Sequence, residues 1–266
     1  MELSIYQVDS FTQEAFKGNP AGVCITEHGI DASLMMSIAA EMAVSETAFL
    51  SLNDMKLRWF TPKTEVKLCG HGTLAVAHIL KENYLVTSDE PVTFETLSGP
   101  LTVNFQPTCI EMNFPTPRLN FELEINLELL RLMGIKPEQV ISYCRFDEKD
   151  FIEVENEQIV LSLAPNFDGL KQVTGRGVVV TAIASDKPVD FVSRYFAPWV
   201  GINEDPVTGS AHCALAAYWG DKLGLHKLKA YQASERGGCV EIELLGNHRV
   251  KLIGTAVTVL KGVLCI

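Results

Sequence analysis

The sequence predicts an α+β protein whose two halves share one layout. Two observations lead to this prediction: short strand-like runs alternate with helical patterns, and the second half repeats the order and spacing of the first. In each half a strand-like run ends in Phe-x-Pro and precedes a glycine-led, alanine-rich helix, at 56–62 and 69–80 and again at 190–198 and 208–219. We interpret this as an internal duplication, with each alanine-rich helix buried in a curled sheet.

The first half begins with two predicted strands and a capped helix. Residues 3–11 and 21–27 have strand patterns and flank the turn-like segment 16–20. Asp31 is a predicted N-cap for a helix that ends at about Met42, because its carboxylate can accept hydrogen bonds from the free amides of a first turn. The later predicted elements of this half are strands at 46–52 and 56–62, a helix from about Gly70 to Asn83, a hairpin over 91–106 that turns at Ser98, Gly99 and Pro100, and a strand at 109–115.

The pattern pauses near Thr116, where we expect a domain boundary. The predicted N-terminal domain covers residues 1–116 and the C-terminal domain covers 119–255, with a last strand at about 256–266 that can return to the first domain. The second half contains its own hairpin-like segment, at 231–242, after its alanine-rich helix.

The composition excludes several classes of protein. The 266 residues are 47% hydrophobic and 21% charged, which is typical of a soluble globular chain. A net charge of −11 argues against a nucleic-acid-binding surface, because phosphate binding needs clustered lysine and arginine. The sequence shows no signal-peptide pattern and no apolar run of the roughly 20 residues that span a bilayer. Seven irregularly spaced cysteines are typical of reduced thiols, so we expect a cytoplasmic protein that acts on a small molecule.

Glycines mark the starts of both alanine-rich helices. Gly70 and Gly72 lie at the first helix start, and Gly209 and Ser210 lie at the second. Free backbone amides at a helix N-terminus attract anions, and glycine allows a ligand to approach the backbone closely. The two helix starts are therefore candidates for holding a carboxylate. The alternative is that glycine only permits tight packing of each helix against its sheet.

Two carboxylates are candidates for proton chemistry. Glu46 lies in an apolar stretch, where we expect burial to raise its pKa toward the range that suits general acid–base catalysis. The alternative is that Ser45 and Glu46 lie at an exposed strand end. Asp205 precedes Pro206, and this pair is equally suited to a turn that caps the following helix.

The histidines and cysteines do not indicate a metal site. His71 and His78 share a helical face, but the chain has no H-x-x-x-H or C-x-x-C spacing, and His78 and His212 are expected to pack in the core. Cys69 lies at a helix start that can lower the pKa of a thiol, although small buried cysteines are mostly inert. The sequence contains no P-loop. The segment 175–177, which has two glycines, does not match a dinucleotide-binding fingerprint, so we expect no cofactor.

Five sequence blocks carry a family resemblance that covers nearly the whole chain. They are VDSFTQEAFKGNPAGV at 8–23, SETAFL at 45–50, RWFTPKTEVKLCGHGTLA at 58–75, DFVSRYFAP at 190–198 and EDPVTGSAHCALAAYW at 204–219. Together they resemble the PhzF-like phenazine biosynthesis family, which shares the diaminopimelate epimerase fold. The resemblance implies two pseudo-symmetric domains, each a mostly antiparallel sheet curled around a central helix, a homodimer, and no metal or organic cofactor.

The resemblance also implies an activity and a set of residues. Phenazine-making members isomerise a dihydro-hydroxyanthranilate by moving a proton between ring carbons. The family's catalytic positions are occupied here by Glu46, His71 and Asp205, with Glu46 as the general acid and base. The substrate would be a small carboxylate-bearing molecule, bound by Ser45, Gly70, Gly72, Gly209 and Ser210.

Two other functions stay open. Epimerases of this fold use two opposed cysteines, but here the counterpart of Cys69 is Thr208, whose hydroxyl cannot exchange protons near pH 7 as a thiol does. The fold could also serve a protein that binds a small molecule without catalysis. The lining that selects a substrate is expected from segments such as 13–18 and 141–158.

Overall fold

A computed structural model describes residues 1–86, 90–185 and 188–266, and the chain divides into two compact units. The first unit contains Met1–Phe114 and Lys251–Ile266, and the second contains Pro115–Val250. The domain limits expected at 116 and 255 lie a few residues from these limits. No helix of the described segments has the length and apolar character needed to cross a membrane.

The described residues form seventeen strands, six α-helices and two short 3₁₀ turns. The strands are β1 (Glu2–Ser10), β2 (Asn19–Thr26), β3 (Glu46–Ser51), β4 (Lys56–Phe60), β5 (Glu65–Val66), β6 (Val92–Phe94), β7 (Leu101–Phe105), β8 (Ile110–Pro115), β9 (Val140–Phe146), β10 (Lys149–Val154), β11 (Val178–Ile183), β12 (Phe191–Ala197), β13 (Ile202–Asp205), β14 (Lys227–Gln232), β15 (Gly238–Gly246), β16 (Arg249–Gly254) and β17 (Ala256–Cys265). The α-helices are α1 (Ala32–Met42), α2 (Gly70–Glu82), α3 (Leu127–Met133), α4 (Glu157–Ser162), α5 (Phe167–Leu170) and α6 (Gly209–Leu223), and the 3₁₀ turns are Pro137–Gln139 and Pro198–Val200.

The first unit places α2 against a six-stranded sheet. The strand order is β17-β1-β2-β3-β4-β5, antiparallel throughout except for the parallel pair β2–β3. Helix α2 packs against β1, β2, β3 and β17, and its alanines and aliphatic side chains are buried. Strands β6, β7, β8 and β16 are neighbours in that order in a second sheet. The hairpin between β6 and β7 turns at Gly99, as predicted. The C-terminal strand pairs with β1.

The second unit repeats this arrangement around α6. Its strand order is β15-β14-β12-β11-β10-β9, with β13 paired to β12. The pairs β12–β14 and β10–β11 are parallel and the others are antiparallel, so the predicted mostly antiparallel α+β architecture is confirmed. Helix α6 packs against β14 and β15, and its alanines at 211, 214 and 216 are buried. Short alanine side chains allow a helix to approach a sheet closely.

The internal duplication includes matching side-chain contacts in the two halves. Arg58 on β4 forms a two-bond ion pair with Glu65 on β5, at 2.7 Å for both bonds. Arg194 on β12 pairs in the same way with Glu204 on β13, at 2.7 and 2.8 Å. Each guanidinium also lies over a phenylalanine ring two residues later, 5.0 Å from the Phe60 centroid and 4.9 Å from the Phe196 centroid. Each half thus has its own Arg-x-Phe motif, which stabilises the strand that precedes the central helix.

Two local predictions need correction. Asn19, expected in a turn, lies in β2 opposite Ser10, because the backbone bend occurs earlier, at Phe16 and Gly18, where φ is positive. His78 is not a core residue: its side chain is 22% exposed, and its Nε2 lies 3.1 Å from the Thr258 hydroxyl.

Candidate active site

Glu46 and Ser45 lie where β3 begins. Glu46 is opposite Ala21 in the parallel pair with β2, and its side chain is 16% exposed. The residues that follow it on β3 are buried, so the strand is anchored in the core, and Glu46 is the half-buried residue at its start. The alternative of an exposed strand end is therefore wrong for Glu46.

The imidazole of His71 is the centre of the predicted group in the first unit. His71 lies in the first turn of α2, with a side chain only 6% exposed. Its Nε2 lies 3.3 Å from Glu46 Oε2 and 3.4 Å from Ser45 Oγ. The side-chain amide of Asn19 lies 3.3 Å from Nδ1, and the Cys69 sulfur lies 3.6 Å from the same nitrogen. The fold thus gathers polar groups from β2, β3 and α2 around one ring.

The pKa values of this pair move in opposite directions. Burial by itself favours the neutral carboxyl of Glu46, but hydrogen bonds from His71 and Ser45 and the charge of His71 outweigh it, so the pKa of Glu46 is lowered. Burial likewise favours neutral imidazole, but Cys69 and Glu46 together raise the pKa of His71 well above its ordinary value. The expected rise in the pKa of Glu46 is therefore wrong, because that expectation did not include a cation beside the carboxylate. The directions of both shifts favour a carboxylate on Glu46 beside a protonated His71.

Cys69 is the N-cap of α2. Its sulfur accepts the amide hydrogen of Gly72 at 3.4 Å, and its side chain is buried. Burial raises the pKa of the thiol, with the neighbouring His71 acting against this rise. Cys69 therefore remains a protonated, capping thiol rather than an activated nucleophile.

Glu46, Cys69 and His71 together offer one oxygen, one sulfur and one nitrogen atom within 4.8 Å of one another. Such a set could contribute three ligands to a metal ion, and the ligand spacing in the sequence did not indicate it, because the residues come from separate segments. The raised pKa values of Cys69 and His71 mean that both hold protons that an ion would have to displace.

The glycines at the start of α2 differ in what they do. A Cβ atom at Gly72 would lie 2.9 Å from Trp59 Cδ1 and 3.0 Å from Cys69 Sγ, so close packing requires glycine there. The Gly72 amide already donates to Cys69. Of the two predicted anion-binding glycines in this unit, Gly70 is therefore the better candidate.

Asp205 and Thr208 form a separate group in the second unit. Asp205 ends β13, and its carboxylate accepts a hydrogen bond from the Thr208 hydroxyl. Thr208 is the N-cap residue of α6, and the Asp205 carboxylate bonds it from the turn before the helix, so the alternative of a turn that caps α6 stays open for Asp205. Gln232 holds this loop: its Oε1 accepts from the Thr208 amide at 2.9 Å, and its Nε2 donates to the Asp205 carbonyl at 2.6 Å.

Gly209, Ser210 and His212 lie in the first turn of α6. Ser210 is partly exposed, and its hydroxyl accepts a hydrogen bond from Lys149 Nζ at 3.0 Å. His212 is fully buried, as predicted, and its Nδ1 lies 2.9 Å from the Thr208 carbonyl oxygen. Burial lowers the pKa of His212 to about 4, so the ring is neutral.

The sequence patterns did not single out Asn19 or Gln232, and Lys149 falls only within the lining segment expected at 141–158. Each is a common polar residue close to a turn, and only strand pairing brings it beside a predicted residue. The second unit also has a cavity of about 590 Å³ that contains none of the predicted catalytic or binding residues, although part of its lining, residues 145–148, belongs to the segment 141–158. It is lined by Arg118, Asn120, Arg145, Phe146, Asp147, Glu148, Thr174, Gly175 and Arg176.

Comparison with known proteins places these features in a family. Residues 8–262 match the PhzC-PhzF family of phenazine biosynthesis-like proteins. An uncharacterised isomerase of Halalkalibacterium halodurans is 48% identical over 264 residues, which cover 98% of each chain. The crystal structure of a phenazine biosynthesis protein of the PhzF family from Enterococcus faecalis superposes with a TM-score of 0.91 at 40% identity, over 100% of both chains.

A more distant comparison concerns the fold alone. A hydroxyproline epimerase from Agrobacterium vitis superposes with a TM-score of 0.64 at 12% identity, covering 99% of this chain and 92% of the other. The predicted relation to the epimerase fold is thus confirmed. With full-length similarity to named isomerases, the chain is an isomerase that belongs to the PhzC-PhzF family of phenazine biosynthesis-like proteins.

Proposed function

We propose that this isomerase moves a proton between two carbons of a small carboxylate-bearing substrate, with Glu46 as the general acid and base and with no cofactor. The observation that carries the proposal is the buried pair of Glu46 Oε2 and His71 Nε2, 3.3 Å apart. A carboxylate held ionised beside His71, at the start of a buried strand, is available to act as the base.

The lowered pKa of Glu46 keeps the carboxylate ionised for the first half of such a transfer and makes its acid form a strong donor for the second half, while it weakens the carboxylate as a base. The ionised carboxylate takes a proton from an acidified carbon, and the electron pair of that C–H bond shifts along the conjugated substrate. The carboxylic acid so formed is a ready donor because its pKa is low, and it returns the proton to the second carbon. His71 stabilises the carboxylate before and after the transfer and orients it.

The remaining predicted residues are assigned to substrate binding. Ser45 lies beside His71, and Gly70 opens helix α2. In the second unit, Asp205 is fixed by Thr208 and is suited to accept a hydrogen bond from a substrate hydroxyl or amino group. Gly209 and Ser210 begin α6, whose N-terminus favours negative charge.

Replacement of Glu46 by glutamine tests the proposal. The Glu46→Gln variant keeps the shape of the side chain but cannot accept the proton. We expect deuterium incorporation from D₂O into dihydro-hydroxyanthranilate, followed by NMR, to fall by about 10²- to 10⁴-fold. Glu41→Gln, at an exposed position of α1, is the matched control and should leave exchange unchanged. Full exchange by Glu46→Gln would remove Glu46 from this role.

The cysteine-dependent alternative has a separate test. Cys69 is buried and is the N-cap residue of α2. The equivalent N-cap residue of α6 is Thr208, so only one of the two helix starts has a thiol at this position. We expect Cys69→Ser to retain exchange, since a serine hydroxyl can also accept the Gly72 amide hydrogen. Loss of exchange in this variant with an unchanged unfolding temperature would favour cysteine chemistry. Absence of exchange into any ligand that the wild type binds would favour a binding protein.

A further inference from the structure

The side chains of Glu46, Cys69 and His71 bring an oxygen, a sulfur and a nitrogen atom together inside the first unit. All three atoms lie within 4.8 Å of one another. Among the residues that the structure describes, this is the one group of three or more histidine, cysteine or acidic side chains that lie so close. The proposed isomerisation uses the carboxylate and the imidazole but gives the sulfur no chemical part.

The distances within this group match those between the ligands of a tetrahedral metal ion. Zn²⁺ binds nitrogen and oxygen at about 2.0–2.1 Å and sulfur at about 2.3 Å, which sets nitrogen and oxygen ligands about 3.3 Å apart and nitrogen and sulfur ligands about 3.6 Å apart. His71 Nε2 lies 3.3 Å from Glu46 Oε2 and 3.8 Å from the Cys69 sulfur. The first distance is longer than the roughly 2.7–2.9 Å of a charge-assisted hydrogen bond.

The surroundings of the group allow it to close around an ion. Cys69 and His71 are fixed by the start of α2, whereas Glu46 is the most exposed of the three and can turn its carboxylate toward the sulfur. The second ring nitrogen of His71, Nδ1, lies 3.3 Å from the side-chain amide of the buried Asn19. A metal-bound histidine usually donates this second N–H to an oxygen atom, which an asparagine amide can present.

The ligand atoms select among metal ions. Sulfur and imidazole ligands favour Zn²⁺, whereas Mg²⁺ and Ca²⁺ take oxygen ligands. Binding would break the S–H bond of Cys69 and the Nε2–H bond of protonated His71 and form metal–sulfur and metal–nitrogen bonds. Both protons would pass to the solvent, with no change in oxidation state.

We propose that Glu46, Cys69 and His71 form an inhibitory site for Zn²⁺. The ion occupies the carboxylate that would otherwise accept the substrate proton, so it acts as an inhibitor and not as a cofactor. Cys69 is the residue that makes the site selective for a metal that binds sulfur. The inhibition rests on the function proposed above, whereas binding of the ion does not.

Titration calorimetry with ZnCl₂ tests the binding without a substrate. We expect the wild type to bind one Zn²⁺ at this site, and MgCl₂ at the same concentrations to give no binding. Cys69→Ser should weaken Zn²⁺ binding by about tenfold or more, because a serine hydroxyl keeps its proton and is a poor zinc ligand. Cys239→Ser removes an exposed thiol and should bind Zn²⁺ as the wild type does.

Co²⁺ provides a spectroscopic measurement of the same site. In the wild type it should give thiolate-to-metal charge-transfer absorption in the near ultraviolet, and Cys69→Ser should lose this absorption. If Cys69→Ser does not fold, Glu46→Gln decides the binding: it should bind Zn²⁺ more weakly than the wild type, with Glu41→Gln as the control. Unchanged Zn²⁺ affinity in Glu46→Gln would then overturn the site.

Deuterium exchange tests the inhibition. Zn²⁺ should suppress exchange by the wild type, EDTA should restore it, and Cys69→Ser should continue to exchange at Zn²⁺ concentrations that stop the wild type. Exchange that continues with the site filled would overturn the inhibitory role. No Zn²⁺ binding, Mg²⁺ binding as tight as that of Zn²⁺, or equal Zn²⁺ affinity in Cys69→Ser would overturn the site itself. If the wild type shows no exchange, the inhibitory role fails with the proposed function, and calorimetry still decides the site.

Discussion

At the scale of single residues, the state of the site depends on two neighbouring groups that shift each other's pKa. Glu46 alone would hold a proton more readily because it is buried, and His71 alone would lose one more readily for the same reason. Together they form an ion pair, in which each charge offsets the desolvation of the other. The pair therefore sets the protonation state of the proposed base.

Removal of the histidine should reverse the shift in the pKa of Glu46. In a His71→Asn variant, burial acts on Glu46 without an opposing cation, so the carboxyl pKa should rise above its value in the wild type. Titration of the Glu46 side-chain carbon by NMR measures this directly. His28→Asn, at an exposed position, is the control. An unchanged or lower pKa in His71→Asn would contradict the ion-pair description.

The same pair makes stability depend on pH with a defined sign. The lowered pKa of Glu46 adds stability above about pH 4.5, and this is lost as the pH falls through the folded-state value. The raised pKa of His71 adds stability below about pH 6.5, and this is lost as the pH rises through its folded-state value. The stability difference between the wild type and His71→Asn should therefore be largest between those two pH values.

At the scale of elements, the repeated Arg-x-Phe motif supports the strands that precede the central helices. Arg58 pairs with Glu65, and Arg194 pairs with Glu204. Arg194 also contacts the end of α4. Its Nη1 donates hydrogen bonds to the carbonyl oxygens of Val160 at 3.2 Å and Leu163 at 2.8 Å. The second copy of the motif thus also satisfies carbonyls that a helix end leaves without partners.

We expect replacement of either arginine to destabilise the protein, and the second replacement to do so more. Arg58→Met should lower the free energy of unfolding by about 1–2 kcal/mol, because Glu65 is left without its partner. Arg194→Met should have a larger effect, of about 2–4 kcal/mol, because backbone carbonyls also lose a donor. Urea unfolding measures both. Arg131→Met, which breaks an exposed pair with Glu128, is the control and should leave the unfolding midpoint nearly unchanged.

An effect of Arg194→Met no larger than that of Arg58→Met would show that the bonds to the α4 carbonyls add nothing. A double-mutant cycle that combines Arg58→Met with Glu65→Gln separates the pair energy from the packing of the guanidinium over Phe60.

At the scale of the whole molecule, two units of similar construction each supply a polar group at the start of a buried helix. Glu46 and His71 lie in the first unit, and Asp205 and Ser210 lie in the second. The net charge of −11 does not itself favour binding of an anion, so the proposed carboxylate would depend on local positive groups such as the helix N-termini.

The resemblance to the PhzF-like family leads us to propose a homodimer. Light scattering coupled to size-exclusion chromatography should then give a mass twice the 29.3 kDa of one chain, at concentrations well above the dissociation constant. A constant mass of a single chain over a wide concentration range would contradict this proposal.

Periodicity and capping residues in the sequence determined much of the secondary structure. The limits of α1 and α2, the β6–β7 hairpin and the start of α6 follow from Asp31, from glycine positions and from alternating apolar residues. Helices α3, α4 and α5 were not predicted, although an asparagine caps each of them: Asn126, Asn156 and Asn166. These helices have seven residues or fewer, too few for a clear helical period.

The sequence by itself also determined the family, and its long motifs carry the residues Glu46, His71 and Asp205 that we propose for the chemistry. Only the tertiary structure decided the charge state of Glu46, the capping role of Cys69 and the burial of Lys149. The physical reason is that a pKa or an unpaired charge depends on neighbours distant in sequence. Strand pairing and helix packing bring these neighbours together, and no local pattern encodes their distances.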